Sequence, residues 1–222
     1  AGNGRLVLEK SIEVIPDLIV SDVMMPEMAG YELCDRRKQD VRTSHIPIVL
    51  LTARADFDSR MEGLERGADA YLEKPFHKEE LFIRLRKLLE LRQELQEKYG
   101  QIDLADDPEV RAEPSAEDPF LRKMKELLVA HLSDEDFGIQ ELCQSLQLSR
   151  AQLYRKVQAL TGRPAGLYIR SYRLHQAREL LRRSEVNVSE AAYQCGFYNL
   201  SYFSRIFKEE FGVSPSEVEK DR

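Results

Sequence analysis

The sequence has no apolar run near the roughly 18 residues that a membrane-spanning helix needs. It also lacks the basic start and apolar middle of a secretion signal. Cysteine is scarce: Cys34, Cys143 and Cys195 are the three in the chain. Their number is odd and they lie far apart, which excludes a disulfide framework and a metal-ligand cluster. They read as buried thiols in a reducing compartment. There is no Walker loop, no Ser/His/Asp arrangement and no His/Cys cluster at metal spacing. The expectation is a cytoplasmic protein that is not an enzyme and makes no membrane contact in this segment. The chain does not begin with Met, and it opens on Ala1-Gly2-Asn3-Gly4. Asn-Gly is a turn signal, and a native chain rarely begins in a turn, so a preceding segment is expected.

What is present divides in two. A length of 222 residues with 42% hydrophobic content suits one or two domains, each with its own core. The formal net charge of −6 hides an asymmetry. Residues 119–222 carry 16 Lys and Arg against 13 Asp and Glu, a balance of +3, while residues 1–118 carry 17 against 26, a balance of −9. An acidic front and a mildly basic back point to two domains with different partners. For nucleic acid, what matters is whether the basic residues share a face.

The front half alternates short apolar runs with helical patterns. Asp17–Asp22, Ile46–Leu51 and Ala68–Leu72 read as strands. Helical spacing covers about 5–14, 30–39, 57–66 and 77–98. This alternation predicts a parallel α/β sheet. The three strands end at or just before Asp22, Thr52 and Lys74. Ligands of open α/β sheets bind beyond the carboxyl ends of the strands, so an acid, a hydroxyl and an ammonium arrive at one edge. Leu81, Leu85, Leu88, Leu89, Leu91 and Leu95 recur at helical spacing. Some belong to the core, and the tail of that helix reads either as a pairing surface between chains or as a solvated lead into a linker. Residues 100–118, with Asp106-Asp107-Pro108 and Ala112–Pro119, are acidic and Pro-rich, which places a linker there. The domains are therefore 1–99, linker 100–118, and 119–222.

The back half reads as all helix, at about 119–132, 139–146, 150–161, 165–183, 188–195, 200–210 and 215–220. Ser149 and Pro164 fit helix starts, Ser189 falls in the first turn of the fifth helix, and Gly162 and Gly212 fit stops. A repeat is visible. Ile139–Gly162 resembles Val188–Gly212 once one residue is inserted in the turn. Leu153 then matches Phe203, Arg155 matches Arg205, Val157 matches Phe207 and Gly162 matches Gly212. Each unit is helix, short turn, helix, the layout in which a second helix enters the major groove.

Pro16-Asp-Leu-Ile-Val-Ser-Asp-Val-Met-Met-Pro-Glu-Met-Ala-Gly30 resembles the phosphoacceptor segment of response-regulator receiver domains, over roughly residues 1–92. The resemblance implies a partial flavodoxin-like fold. It makes Asp22 the phosphoacceptor, Thr52 the hydroxyl that meets the phosphoryl oxygen, Lys74-Pro75 the Lys and cis-Pro pair, and Tyr71 the switch aromatic. The chemistry is coherent: a carboxylate can attack phosphorus if charge repulsion is screened. In the family Mg²⁺ does much of that screening through oxygen ligands. Two departures stand out. Ala29-Gly30 replaces the usual Asp-Gly. The acidic pair that the family carries upstream, at the end of its first strand, is absent from the chain. Asp22 and the Met24 backbone carbonyl are then the metal contacts left, the strand carrying Asp22 becomes an exposed edge, and weak Mg²⁺ binding and poor phosphorylation are expected.

Residues 120–220 resemble the AraC/XylS-type DNA-binding domain. Ser149-Arg-Ala-Gln-Leu-Tyr-Arg-Lys-Val157 matches its first recognition helix, and Arg173–Leu181 its connecting helix. Ala191–Phe197, Tyr202–Lys208 and Gly212-Val-Ser-Pro215 match its second unit. Periodicity puts Leu153, Val157, Leu160, Phe203, Ile206 and Phe207 in the core. Arg150, Ala151, Gln152, Tyr154 and Arg155, with Asn199, Leu200, Ser201, Tyr202 and Arg205, are the groove candidates. Arg can read guanine, and Gln and Asn can read adenine. Lys156, Arg170 and Lys208 read as phosphate contacts or surface charge, and His175 as structural or surface. The resemblances together imply a DNA-binding transcription regulator of a two-component system. Its partners would be double-stranded DNA and an upstream histidine kinase or kinase domain, with dimerisation as the means of control. The alternatives are a phosphorylation-independent regulator and the C-terminal part of a hybrid sensor kinase.

Overall fold

The computed structural model describes residues 2–53, 67–100, 118–183 and 186–218. The helix expected at 57–66 and nearly all of the 100–118 linker lie outside the described residues. The chain separates into two compact units, Ala1–Lys98 with Gln158–Gly162, and Tyr99–Val157 with Arg163–Arg222.

The first unit holds helix α1 (Gly4–Val14), strand β1 (Ile19–Asp22), α2 (Gly30–Gln39), β2 (Ile48–Thr52), β3 (Ala70–Glu73) and α3 (Lys78–Gly100). Asn3 caps α1, its side chain accepting from the Leu6 N–H at 2.8 Å. The Asn-Gly pair expected as a turn is thus a helix start: a free Asn oxygen satisfies an end N–H that the helix cannot. The three strands pair in parallel in the order β1-β2-β3, with Asp22 beside Leu51 and Thr52 beside Glu73. The sheet and helices enclose Ile19, Val23, Leu33, Cys34, Ile46, Ile48 and Leu50. Among the described residues β1 pairs on one side only, and its Val20 is exposed.

Arg37 is a buried staple that periodicity does not reveal. Its guanidinium donates to the carbonyls of Ser44, Ile46 and Gly67 and lies 3.7 Å from Asp69. It ties α2 to the loops entering β2 and β3. Along α3, Leu81, Leu85 and Leu88 are half-buried while Leu89, Leu91 and Leu95 are exposed. Arg92 donates to the Asp17 carbonyl at 2.6 Å and pairs with its carboxylate at 3.3 Å, anchoring α3 beside β1.

The second unit holds α4 (Pro119–Ala130), α5 (Ile139–Leu146), α6 (Arg150–Thr161) as far as Val157, α7 (Ala165–Arg182), α8 (Val188–Gln194) and α9 (Leu200–Phe211). Both helix pairs of the repeat form. Each second helix ends at a glycine in the left-handed region, Gly162 at φ 67° and Gly212 at φ 75°. There the absence of Cβ lets the chain turn out of the helix. Both first helices start on a glutamate that reaches back to the N-cap, Glu141 accepting from the Gly138 N–H and Glu190 from the Asn187 N–H, each at 2.9 Å; at the second the Asn187 side chain returns the bond by accepting from the Glu190 N–H. At the C-terminus, Pro215–Glu217 is a single 3₁₀ turn rather than the α-helix expected over 215–220. Ser214 binds the Glu217 carboxylate through its N–H and its hydroxyl, which closes the turn after three residues.

Leu174, Ala177 and Leu181 of α7 pack with Ala191, Ala192, Phe203, Ile206 and Phe207 in one core, so the second helix pair is built on the C-terminal half of α7. Arg173, nearly buried, donates to the carbonyls of Asp134 and Phe137. Its guanidinium lies against Gly196, where a Cβ would stand 2.7 Å from Nη1.

Candidate functional site

The carboxyl edge of the sheet gathers the expected residues. Lys74 follows β3, and its N–H donates to the Thr52 carbonyl at 2.7 Å, which fixes the two strand ends together. The Lys74-Pro75 peptide is cis. The Lys74 ammonium donates to Asp22 Oδ2, and the Met24 N–H donates to Asp22 Oδ1 at 3.1 Å. The Lys74 hydrogen bond holds the Asp22 carboxyl below its ordinary range, because a cation beside a carboxylate favours the charged form. Thr52 is buried at 4% exposure and Tyr71 at 8%. A pocket of about 280 Å³ opens here, lined by Thr52, Tyr71, Glu73, Lys74 and Pro75 with Glu80 and Arg84 of α3. Gly30 explains the close fit below the site. Its N–H bonds the Val23 carbonyl at 2.9 Å, and a Cβ there would stand 2.6 Å from the Asp22 carbonyl.

The edge offers an ionised nucleophile, a cation able to follow charge onto a transferred group, and a hydroxyl one strand away. Mg²⁺ fits it poorly. The ion wants six oxygens in a near-octahedral shell, and no three His, Cys, Asp or Glu residues among the described residues gather to hold a metal. Asp22 brings one carboxylate, already engaged by Lys74.

In the second unit, Arg150, Ala151, Tyr154 and Arg155 are exposed on α6, and Ser201, Tyr202 and Arg205 on α9. Arg155 and Arg205, matched by the repeat, occupy the same position in the two units. Arg205 lies over the Tyr202 ring at 5.5 Å and 3.6 Å from Glu209. Two expected readers have local work. Gln152 caps the start of α6, accepting from the Ser149 N–H at 2.9 Å while its own N–H donates to the Ser149 hydroxyl. Asn199 caps α9 by accepting from the Tyr202 N–H at 2.9 Å. Leu200 is half-buried and packs on the core. Tyr193 on α8 and Tyr198 in the turn before α9 are exposed, with ring centres 5.7 Å apart, and residue type alone does not mark them out.

Lys156 is a correction. It reads as a phosphate contact or surface charge in the sequence, but it is fully buried, 3.8 Å from the Asp118 carboxylate and 5.5 Å above the Phe120 ring. Its place between Leu153, Val157 and Leu160 gives it the core-facing side of α6. Lys208 is exposed and Arg170 half-buried.

Residues 1–86 match the response regulator receiver domain family, and residues 142–221 match a helix-turn-helix domain family. One chain thus carries a segment that matches receiver domains followed by a segment that matches helix-turn-helix domains. It is 37% identical over 99% of its length to Histidine kinase P4 of Formosa agariphila, of which that match covers 16%. The receiver is similar to two transcriptional regulators. It is 42% identical to the DNA-binding dual master transcriptional regulator RpaA of Synechocystis sp. over 36% of this chain and 33% of that protein. It is 49% identical to the phosphate regulon transcriptional regulatory protein PhoB of Pseudomonas aeruginosa over 33% of this chain and 32% of that protein. The chain thus spans about a third or less of each relative. Receiver and helix-turn-helix domains are the domains that DNA-binding response regulators combine. Receiver domains generally bind Mg²⁺ at their phosphorylation site. No helix among the described residues is long and apolar enough to cross a membrane.

Proposed function

We propose that the chain is the output end of a two-component pathway, a sequence-specific DNA-binding regulator controlled through phosphorylation of Asp22. The observation that carries this reading is the Asp22–Lys74 pair at the sheet edge beside Thr52, in one chain with a duplicated helix-turn-helix. An Asp22 oxygen would attack phosphorus of a phosphohistidine or a small acyl phosphate. The new O–P bond forms as the bond to the leaving group breaks. Lys74 neutralises the charge that arrives, Thr52 bonds a phosphoryl oxygen, and Tyr71 responds to the position of Thr52. In the second domain Arg150, Tyr154, Arg155, Ser201, Tyr202 and Arg205 face the groove, with Ala151 and Leu200 as apolar neighbours and Gln152 and Asn199 shaping the helix starts.

The kinase that supplies the phosphoryl group would be a separate histidine kinase or a kinase domain in the same protein. The match to Formosa agariphila histidine kinase P4 across 99% of this chain favours the second arrangement. A gel-shift assay against random duplex DNA, with and without a small phosphodonor, tests the reading. Specific binding that changes with the donor supports it. Specific binding indifferent to the donor makes the chain a phosphorylation-independent regulator. Absence of specific binding sinks the DNA-binding reading.

A further inference from the structure

We propose that Glu210 fixes the second recognition helix relative to the first, and so sets the spacing between the two DNA half-sites that the chain accepts. The inference rests on the DNA-binding reading above. It starts from the repeat. The register that matches Leu153 with Phe203 and Gly162 with Gly212 also matches Leu160 with Glu210. A buried leucine in the first unit is a carboxylate in the second. A charge at a core-facing position needs partners to offset its lost hydration, and Glu210 finds them outside its own helix.

The Ser171 hydroxyl, on α7 and 2% exposed, donates to Glu210. Arg163 Nη1 lies 3.7 Å from Glu210 Oε1 and donates to the same Ser171 oxygen at 3.2 Å. His175 Nε2 stands 3.9 Å from Glu210 Oε1. On the adjoining side, Phe211 meets the His175 ring edge-on at 4.9 Å and the Arg178 guanidinium at 4.8 Å. Arg163 stands just past the end of α6, and Glu210 is the next-to-last residue of α9. The C-terminal end of α9 therefore meets the turn that joins α6 to α7 in one polar cluster on the connecting helix.

Apolar packing holds α8 and α9 on α7, but it is non-directional. Hydrogen bonds and close ion pairs impose direction. The cluster is thus suited to fix the angle between the two units. Two linked modules help each other bind only when the link presents them at the separation of their sites. A stiff clamp gives a narrow tolerance for spacing, and its loss widens that tolerance.

The test uses the full chain and duplexes selected from random DNA for tight binding to it, then rebuilt with base pairs added or removed between the half-sites. The unaltered chain loses affinity by about tenfold or more as spacing departs from its optimum, a coupling of ordinary size. Glu210→Ala and Arg163→Ala bind the optimal duplex somewhat less well, and their affinity changes less than about threefold across the series. Thermal melting checks the fold, and if Glu210→Ala does not fold, Glu210→Gln and Arg163→Ala decide the matter. An unchanged steep profile in these variants overturns the proposal. So does an equal loss at every spacing, which marks the cluster as merely structural. If the unaltered chain selects no duplex, the DNA-binding reading itself fails, and the clamp with it.

Discussion

Lys156 Nζ lies 3.8 Å from the Asp118 carboxylate, with the lysine fully buried and the aspartate nearly so. Asp118 does two things at once. It caps α4 by accepting from the Phe120 N–H at 2.8 Å, and it faces the ammonium that α6 turns inward. In the second helix pair of the repeat the matching position is Ile206, also buried. The repeat therefore shows that this site on the helix needs an apolar shape, and that the first unit fills it with a lysine.

An asymmetric effect on stability follows. Asp118→Ala removes the cap and leaves a buried ammonium without its carboxylate, which costs about 3 kcal/mol or more. Lys156→Met keeps the shape and strands the Asp118 carboxylate, but that carboxylate keeps the Phe120 N–H and some contact with water, so the change costs less than Asp118→Ala, about 1–2 kcal/mol. Adding Lys156→Met to Asp118→Ala recovers most of the loss. Chemical denaturation of the three variants checks this, and a lysine variant less stable than the aspartate variant would contradict it.

The Asp22–Lys74 pair carries a pH prediction. The folded carboxyl titrates below its ordinary range because Lys74 bonds the ionised form. A depressed carboxylate stabilises the fold at neutral pH, and that contribution is lost as pH falls through the ordinary range of about 4 and below. Lys74→Met removes the cause, so the Asp22 carboxyl signal followed by NMR titrates at higher pH in the variant. The group is partly exposed, so the stability change is small, whereas the titration shift is direct. An Asp22 midpoint unmoved by the substitution would show that Lys74 is not the cause.

Much of this was legible in the sequence. The three strands announced themselves as apolar runs between helical patterns, and each delivered the expected residue because a parallel strand ends at one edge of its sheet. The repeat located both recognition helices and their glycine stops. Other features turned on geometry that single positions do not display. Lys156 reads as a surface charge by residue type, although its register with Ile206 was a usable signal. Gln152 and Asn199 read as base-readers by chemistry, while the same polar atoms satisfy helix-start N–H groups. Arg37 reads as one more helix charge, because its three carbonyl partners lie in loops outside its helix, two in the loop just after it and one at Gly67.

The sheet edge makes a metal prediction. Mg²⁺ keeps several of its own waters and is held by the charge of one or two carboxylates; Asp22 is already paired with Lys74, and no three His, Cys, Asp or Glu residues gather to hold a metal among the described residues. This 222-residue chain should therefore bind Mg²⁺ weakly by calorimetry and take up little phosphoryl group from a small phosphodonor, read by intact mass. Robust Mg²⁺-dependent phosphorylation at Asp22 would refute this and would show that other oxygens complete the shell.

Arg155 and Arg205 bring the last prediction. They stand at the same position of two helix pairs and both are exposed, so the two units should read DNA in the same way. Arg155→Ala should weaken specific binding by about 1–3 kcal/mol and relax sequence preference in one half-site, if it pairs with a base edge. Arg205→Ala should do the same in the other half-site, with a further contribution from freeing Tyr202, whose ring its guanidinium covers. Lys208, also exposed but placed later on α9, should weaken binding evenly across sequences and lower the salt dependence by about one ion when changed to Ala. Footprinting and salt titration separate the two behaviours: an arginine variant that loses affinity without losing sequence preference belongs to the phosphate contacts, not to the bases.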